Sequence, residues 1–285
     1  MTMLREESKY VVFAADDLGR SKSVNEAIID AHRNGILTAA SMMAGGEAFS
    51  HAVELFRDIK GVSLGLHITL CDGKAVLPHS AIPDLIWTDG RFSLGPAAAW
   101  IRMGQKKILK QAEREIEAQF DVLEAAGVFP SYADSHHHLH MHPALFRLTC
   151  RIAAGRGVGW IRVPNEPLSV MFRFGTQGRG VMPFAEKAVF GMLKASNMRM
   201  AEKYGLRCAR NVYGLSRSGS LDEEYLLSLF EHMSVSRGPF VSEIFCHPDM
   251  ATCTGLRELS ALKSRAVIEK LDSFRIKRIG YKDVD

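Results

Sequence analysis

Lys9-Tyr10-Val11-Val12-Phe13-Ala14-Ala15 is an apolar, β-forming run that breaks off at Asp16-Asp17-Leu18-Gly19, and Ser21 then opens an amphipathic stretch reaching about His32. This reads as strand, loop, helix. The rhythm continues with strands over 36–43 and 62–70 around a helix over 48–58. A connection rich in Pro, Gly and Asp then runs from Cys71 to about Pro96, ahead of a helix over 104–126 closed by Gly127. Beyond it the pattern predicts a strand before Asp134, a helix after Pro143, a strand at 158–163, and helices near 183–204 and 221–233. Strands at 207–213 and 239–246, a helix from about Leu256 to Leu271 and a short strand near 274–279 complete it. Seven or eight strands alternate with helices in 285 residues, without a GxGxxG or P-loop. That predicts an α/β fold: one domain over 1–285 forming a distorted TIM-like (β/α) barrel of parallel strands, an architecture that takes roughly 250 residues.

Composition narrows the function classes. Hydrophobic residues make up 47% and charged residues 24%, which suits a globular chain and excludes disordered or fibrous classes. The net charge of +4 comes from scattered Lys and Arg, too weak a signal for nucleic acid as a partner. No run approaches about 20 apolar residues, and the first ten residues carry acidic groups where a signal peptide would be basic, so the expected location is the cytoplasm. The 5 cysteines are odd in number and form no CxxC pair, which fits a reducing compartment.

The segment near 168–206 departs from the pattern, with Met and Phe scattered among Arg and Lys. It is expected to be a lid or insertion. Its large apolar side chains either fill the outer helix layer or form an apolar substrate groove or membrane-facing patch.

Of 11 histidines, His136, His137, His138, His140 and His142 fall within seven residues just after Asp134. Read as an extended segment, alternate rings share a face, so only some reach one metal, and the remainder pack and hydrogen-bond. Asp16 and Asp17 follow the first strand, His67 ends the third, Asp134 and His136 follow the fourth, Arg162 ends the fifth, and Glu243 and His247 close the seventh. The carboxyl ends of parallel barrel strands converge on one face, which would gather these residues. Two imidazoles and a carboxylate around an open position make a hydrolytic metal site, with the second aspartate free to act as a base. Taken alone, Asp16-Asp17-Leu18-Gly19 also reads as a plain turn, and His247 before Pro248 as a helix-entry residue. At the rim of the same face His247 is a candidate general acid.

Ala15-Asp16-Asp17-Leu18-Gly19 with Ser21 and Asn25, Gly65-Leu66-His67, Asp134-Ser135-His136-His137-His138-Leu139-His140-Met141, and Glu243 with Cys246-His247-Pro248 together resemble the YdjC-like carbohydrate deacetylases. Leu18 departs from the Phe common there. The resemblance implies one divalent ion, zinc or magnesium, held by Asp17, His67 and His136, with Asp16 as base and His247 protonating a leaving amine. The substrate would be an N-acetylhexosamine, with His138, Arg162, Glu166 and Glu243 as candidate contacts. Thr38-Ala39-Ala40-Ser41-Met42-Met43, the Pro83-Asp84-Leu85 and Gly90-Arg91-Phe92 loop, and Arg162-Val163-Pro164-Asn165-Glu166-Pro167 look most like the hopanoid-associated branch. That implies a glycosylated hopanoid substrate, deacetylated to its glucosaminyl form, with Phe172, Phe174 and Phe184 touching lipid and peripheral contact at the inner face of the membrane. Chito-oligosaccharide is the alternative substrate. A non-catalytic metal- or lipid-binding protein is the alternative from another class.

Overall fold

A computed structural model describes residues 9–167, 169–170, 173, 182–236 and 240–284, with backbone alone for 182–187. Phe172 and Phe174 lie outside the described residues, as does the side chain of Phe184, so the expected lipid contacts fall outside them too.

Strand β1, Lys9–Leu18, shows how the barrel is made. Side chains alternate between the faces of a strand. Val11, Phe13 and Ala15 turn outward into the large core beneath the helices, while Tyr10, Val12 and Ala14 turn inward to a small cluster with Tyr132, Trp160, Val241 and Tyr281. Around it stand β2 (Ala39–Met42), β3 (Ser63–Ile68), β4 (Tyr132–Ser135), β5 (Trp160–Ile161), β6 (Asn211–Tyr213), β7 (Phe240–Cys246) and β8 (Ile276–Arg278). The order is β5-β4-β3-β2-β1-β7-β6, with β8 on the first residues of β1, and the strand pairings are parallel. The sheet curls into an α/β barrel-like fold, as expected.

The barrel's far side is stitched rather than paired. The expected strand at 207–213 forms only over Asn211–Tyr213, because Arg207 bridges to Trp160 while Val212 already pairs with Glu243 of β7. Asn165 spans the gap: its amide donates to the Arg210 carbonyl at 3.0 Å and its oxygen accepts the Val212 N–H at 2.9 Å. Gly65 on β3 is required by the barrel floor, since a Cβ there would come within 2.5 Å of the Tyr132 ring.

Helices among the described residues include α1 (Lys22–Arg33), α2 (Phe49–Phe56), α3 (Pro96–Arg102), α4 (Lys106–Ala125), α5 (Pro143–Gly155), α6 (Met182–Lys203), α7 (Glu223–Ser234), α8 (Cys253–Lys263) and α9 (Arg265–Ser273). Ser21 caps α1 by accepting the Val24 N–H at 3.2 Å. The single helix expected from about Leu256 to Leu271 is two, because Ser264 leaves helical backbone and caps α9 through the Val267 N–H at 3.3 Å. On α4 a buried polar row, Gln111, Glu115 and Gln119, faces the long connection after β3 instead of solvent. Gln119 brackets Thr69, and Glu115 accepts the Val76 and Leu77 N–H groups at 2.8 and 3.0 Å. Among the described residues no helix is long and apolar enough to cross a membrane.

Candidate active site

Strict alternation along β1 would send Asp17 outward, opposite to Asp16. Instead the register against β2 shifts between Ala15 and Leu18, and Asp17 takes a left-handed backbone with φ of 67°. Such a bulge re-aims a side chain, and both carboxylates line one cavity of about 520 Å³ at the carboxyl ends of the strands. The turn behind them is held by buried Asn25 of α1, which accepts the Gly19 N–H at 2.7 Å and donates to the Ala48 carbonyl at 3.0 Å.

Asp17 Oδ1, His67 Nε2 and His136 Nδ1 form a triangle with edges of 3.3, 3.0 and 3.3 Å, all three residues buried. Tetrahedral zinc with ligand bonds of 2.0–2.1 Å separates its ligands by roughly 3.4 Å, so the spacing suits such an ion. Beyond its approach to the two ring nitrogens, buried Asp17 Oδ1 has no well-aligned hydrogen-bond partner among the described residues, which suits a ligand atom for a cation. The other oxygen of Asp17 takes Arg20 at 2.9 Å. On the far side of His67, Nδ1 lies 2.7 Å from Asp134 and 3.0 Å from the Ser41 hydroxyl. Burial works against protonating His67, but Asp134 and then Asp17 and Asp16 outweigh it and carry its pKa up to about 10. A cation at the triangle would take the place of that proton.

Beneath the triangle lies Arg162, its side chain fully buried. It donates to both oxygens of Asp16 at 2.7 and 2.8 Å, to Glu243 at 2.6 Å and approaches Asp134 at 2.9 Å. Burial pushes the Asp16 carboxyl up, and Arg162, aided by His67 and His247, overcomes it and holds the group well below the usual carboxylate range. His247 Nε2 stands 3.8 Å from Asp16 Oδ2, with its ring part-exposed to the cavity.

The histidine run is not the extended segment expected from its sequence. Residues His136–Met141 form a tight 3-10 turn in which His137 and His138 both take left-handed backbone, with φ of 53° and 52°. The two strained residues splay their neighbours. His136 enters the triangle, His137 turns out toward Asp72 at 3.4 Å, and His138 lines the cavity with its ring 5.0 Å from Phe245 and 6.0 Å from Phe190. Burial, then the charge of Arg162, keeps His138 neutral. His140 points away: Nδ1 accepts from the Ser135 hydroxyl at 2.6 Å and Nε2 donates to the Arg162 carbonyl at 2.8 Å, and burial pushes its pKa down to about 4. His142 packs edge-on against Trp100.

The structure therefore brings Asp16, Asp17, His67, His136, His138 and His247 to one cavity. Of the expected substrate contacts, Arg162 and Glu243 sit beneath it, bonded to each other. Glu166 lies elsewhere in the interior, accepting from the Ser216 N–H, the Ser216 hydroxyl and the Tyr225 hydroxyl at 2.8, 3.0 and 2.9 Å. The sequence reading gave no site role to Ser41, Arg20 or Asp72, and had Phe190 only as one apolar residue of the segment near 168–206. Ser41 was within reach, since it occupies an inward position of β2 beside inward Gly65 of β3. Phe190 lay in a helix without clear amphipathic pattern, and it walls the cavity beside Trp100, 6.2 Å from its ring. The 5 cysteines are free thiols.

Known proteins resemble this chain in sequence and in fold. A carbohydrate deacetylase of Brevibacillus brevis is 34% identical over 171 residues, 59% of this chain, and the match spans 61% of that relative's length. A chitooligosaccharide deacetylase of Citrobacter koseri is 28% identical over 244 residues, 84% of this chain and 81% of the relative. The crystal structure of an Enterococcus faecalis V583 protein named for cellobiose-phosphate cleavage shares the fold, with a TM-score of 0.76 at 22% identity over 97% of this chain and 98% of that one. Residues 10–273 match the family described as YdjC-like protein, and with the carboxylate pair and the three histidine-bearing strand ends in place, the chain belongs to that family.

Proposed function

We propose that this chain is a metal-dependent carbohydrate N-deacetylase that removes the acetyl group from an N-acetylhexosamine. The observation that carries the reading is the convergence of the Asp17–His67–His136 triangle and the Asp16–His247 pair, 3.8 Å apart, on one cavity. The names of the Brevibacillus and Citrobacter relatives support it.

Asp17, His67 and His136 would hold a divalent ion, which would supply Lewis acidity toward the acetamide carbonyl and acidify water. Asp16 accepts the proton of the attacking water. Arg162 keeps that carboxylate ionised and fixed in orientation, which makes it a weak base at rest and ties its usefulness to water that is already acidified. As the C–N bond breaks, His247 gives a proton to the departing amine, and acetate and the amino sugar leave. Neutral His138 lies where it can hydrogen-bond a sugar hydroxyl or the acetamide.

The finer reading places the sugar on a hopanoid. Phe190, Leu215 and Val24 give the cavity an apolar side, and Val189 and Met192 leave large apolar groups exposed on α6. The second reading, a chito-oligosaccharide, is favoured by the polar side of the same cavity, where Ser218, Asp249, Thr252 and Thr254 offer partners for hydroxyls, and by the Citrobacter relative's name. Acetate release from N-acetylglucosaminyl hopanoid and from diacetylchitobiose separates the two, measured on metal-reconstituted protein beside Asp16→Asn and His136→Ala. Release from the lipid alone, lost in both variants, supports the hopanoid. Release from the sugar alone moves the substrate to the oligosaccharide, and release from neither, with the ion bound, removes the deacetylase reading for these substrates.

A further inference from the structure

The two imidazoles of the triangle are held unequally. His67 has its outer nitrogen against Asp134 at 2.7 Å. The outer nitrogen of His136, Nε2, is buried and has no hydrogen-bond partner among the described residues, where the nearest carboxylate oxygen, Asp72 Oδ2, stands 3.5 Å away. A neutral imidazole has one N–H. If Nδ1 of His136 is to offer its lone pair to a cation, the proton must sit on Nε2 and needs an acceptor there.

Asp72 is delivered to this place by the fold. The connection that carries it is fastened on one side where Gln119 brackets Thr69 and on the other where Glu115 takes the Val76 and Leu77 N–H groups. Within that fastened stretch Asp72 itself adopts left-handed backbone, with φ of 49°. A non-glycine residue held in that region by its surroundings is a mark of positional constraint. The same Oδ2 also faces Nε2 of His137 at 3.4 Å, so two imidazoles share one carboxylate oxygen.

We propose that Asp72 is the positioning residue of His136: its carboxylate accepts the Nε2–H and fixes the tautomer in which Nδ1 faces Asp17 and His67. The assignment rests on the metal reading above and gives His136 the counterpart of what Asp134 gives His67. The difference is exposure, for Asp134 is fully buried whereas the Asp72 side chain is 55% exposed. His137 is its competitor rather than a ligand.

The test is zinc binding by the full, metal-free chain in competition with a chromophoric chelator, with thermal melts as a check on folding. Asp72→Ala is expected to weaken zinc binding about 10- to 100-fold without changing the melt. Asp72→Asn, which keeps an acceptor oxygen, should recover part of the loss. Glu47→Gln is the charge control: Glu47 lies beside the same groove as Asp72 but pairs with Lys74 and Arg91, and it should bind as the wild type does. In the zinc-loaded wild type, nitrogen NMR of His136 should show the proton on Nε2. Equal affinity in Asp72→Ala, or an equal loss in Glu47→Gln, overturns the assignment while leaving the metal reading in place. A wild-type chain that takes up no zinc overturns the metal reading itself.

Discussion

His67 and Asp134 face each other in register on neighbouring strands, and the 2.7 Å contact between them leaves His67 Nε2 directed at Asp17. The second oxygen of Asp134 lies 2.9 Å from Arg162 as an ion pair, so one carboxylate serves both an imidazole and a guanidinium. An amide in its place must set its NH2 against one of them. If it donates to His67 Nδ1, it forces the ring proton onto Nε2, the atom needed for the ion. Asp134→Asn is therefore expected to lower divalent-ion affinity about 10- to 100-fold, read by calorimetric titration; unchanged affinity would show that Ser41 alone orients the ring.

His247 is expected to affect turnover and not the ion. Its side chain is not among the three of the triangle and stands 3.8 Å from Asp16 Oδ2. His247→Ala should lower kcat by about 10²- to 10⁴-fold, the usual range for a lost general acid, with ion affinity as in the wild type. A rise in KM with kcat intact would instead make it a substrate contact.

Gly65→Ala tests the barrel floor. The added methyl would lie within 2.5 Å of the Tyr132 ring, which is itself packed against Tyr281 with ring centroids 4.4 Å apart in the inner cluster. Overpacking of this kind costs about 1–3 kcal/mol. Urea denaturation should show it as a lower midpoint at unchanged slope.

His140 makes the fold acid-sensitive. Its pKa falls from 6.5 to about 4 on folding, because burial opposes the charged ring. Between those values the unfolded chain binds the extra proton, so this contribution is present above pH 6.5 and lost as the pH falls toward 4. At pH 5 the loss is about 2 kcal/mol relative to pH 7. Unfolding free energies at the two pH values should differ by that much more in the wild type than in His140→Gln, and an equal difference in both would disprove the assignment.

How far the site could be read from the chain depends on where each residue sits. Asp16, His67 and Asp134 are legible because strand alternation and parallel register carry them to the inner face of adjoining or nearby strands. Asp17 and His136 are legible as chemistry but not as geometry: a bulge aims one and two left-handed histidines aim the other, and no glycine or asparagine marks the backbone there. Arg162 reads as a substrate contact until its three carboxylates, drawn from β1, β4 and β7, are seen to enclose it. Asp72 gives no periodic signal at all. The residues that fix it, Glu115 and Gln119, are polar groups set on the buried face of α4, and nothing in their spacing names the backbone they hold.

The bulge in β1 also sets a tolerance. Because Asp16 and Asp17 are consecutive, their α-carbons are about 3.8 Å apart whatever the barrel does. The distance between their backbone anchor points is thus a covalent length, while the bulge decides that both carboxylates reach one cavity. Drift in the outer helix layer leaves those anchor points adjacent, so sequence variation there should be far better borne than a single insertion or deletion between Ala15 and Leu18, which would undo the bulge.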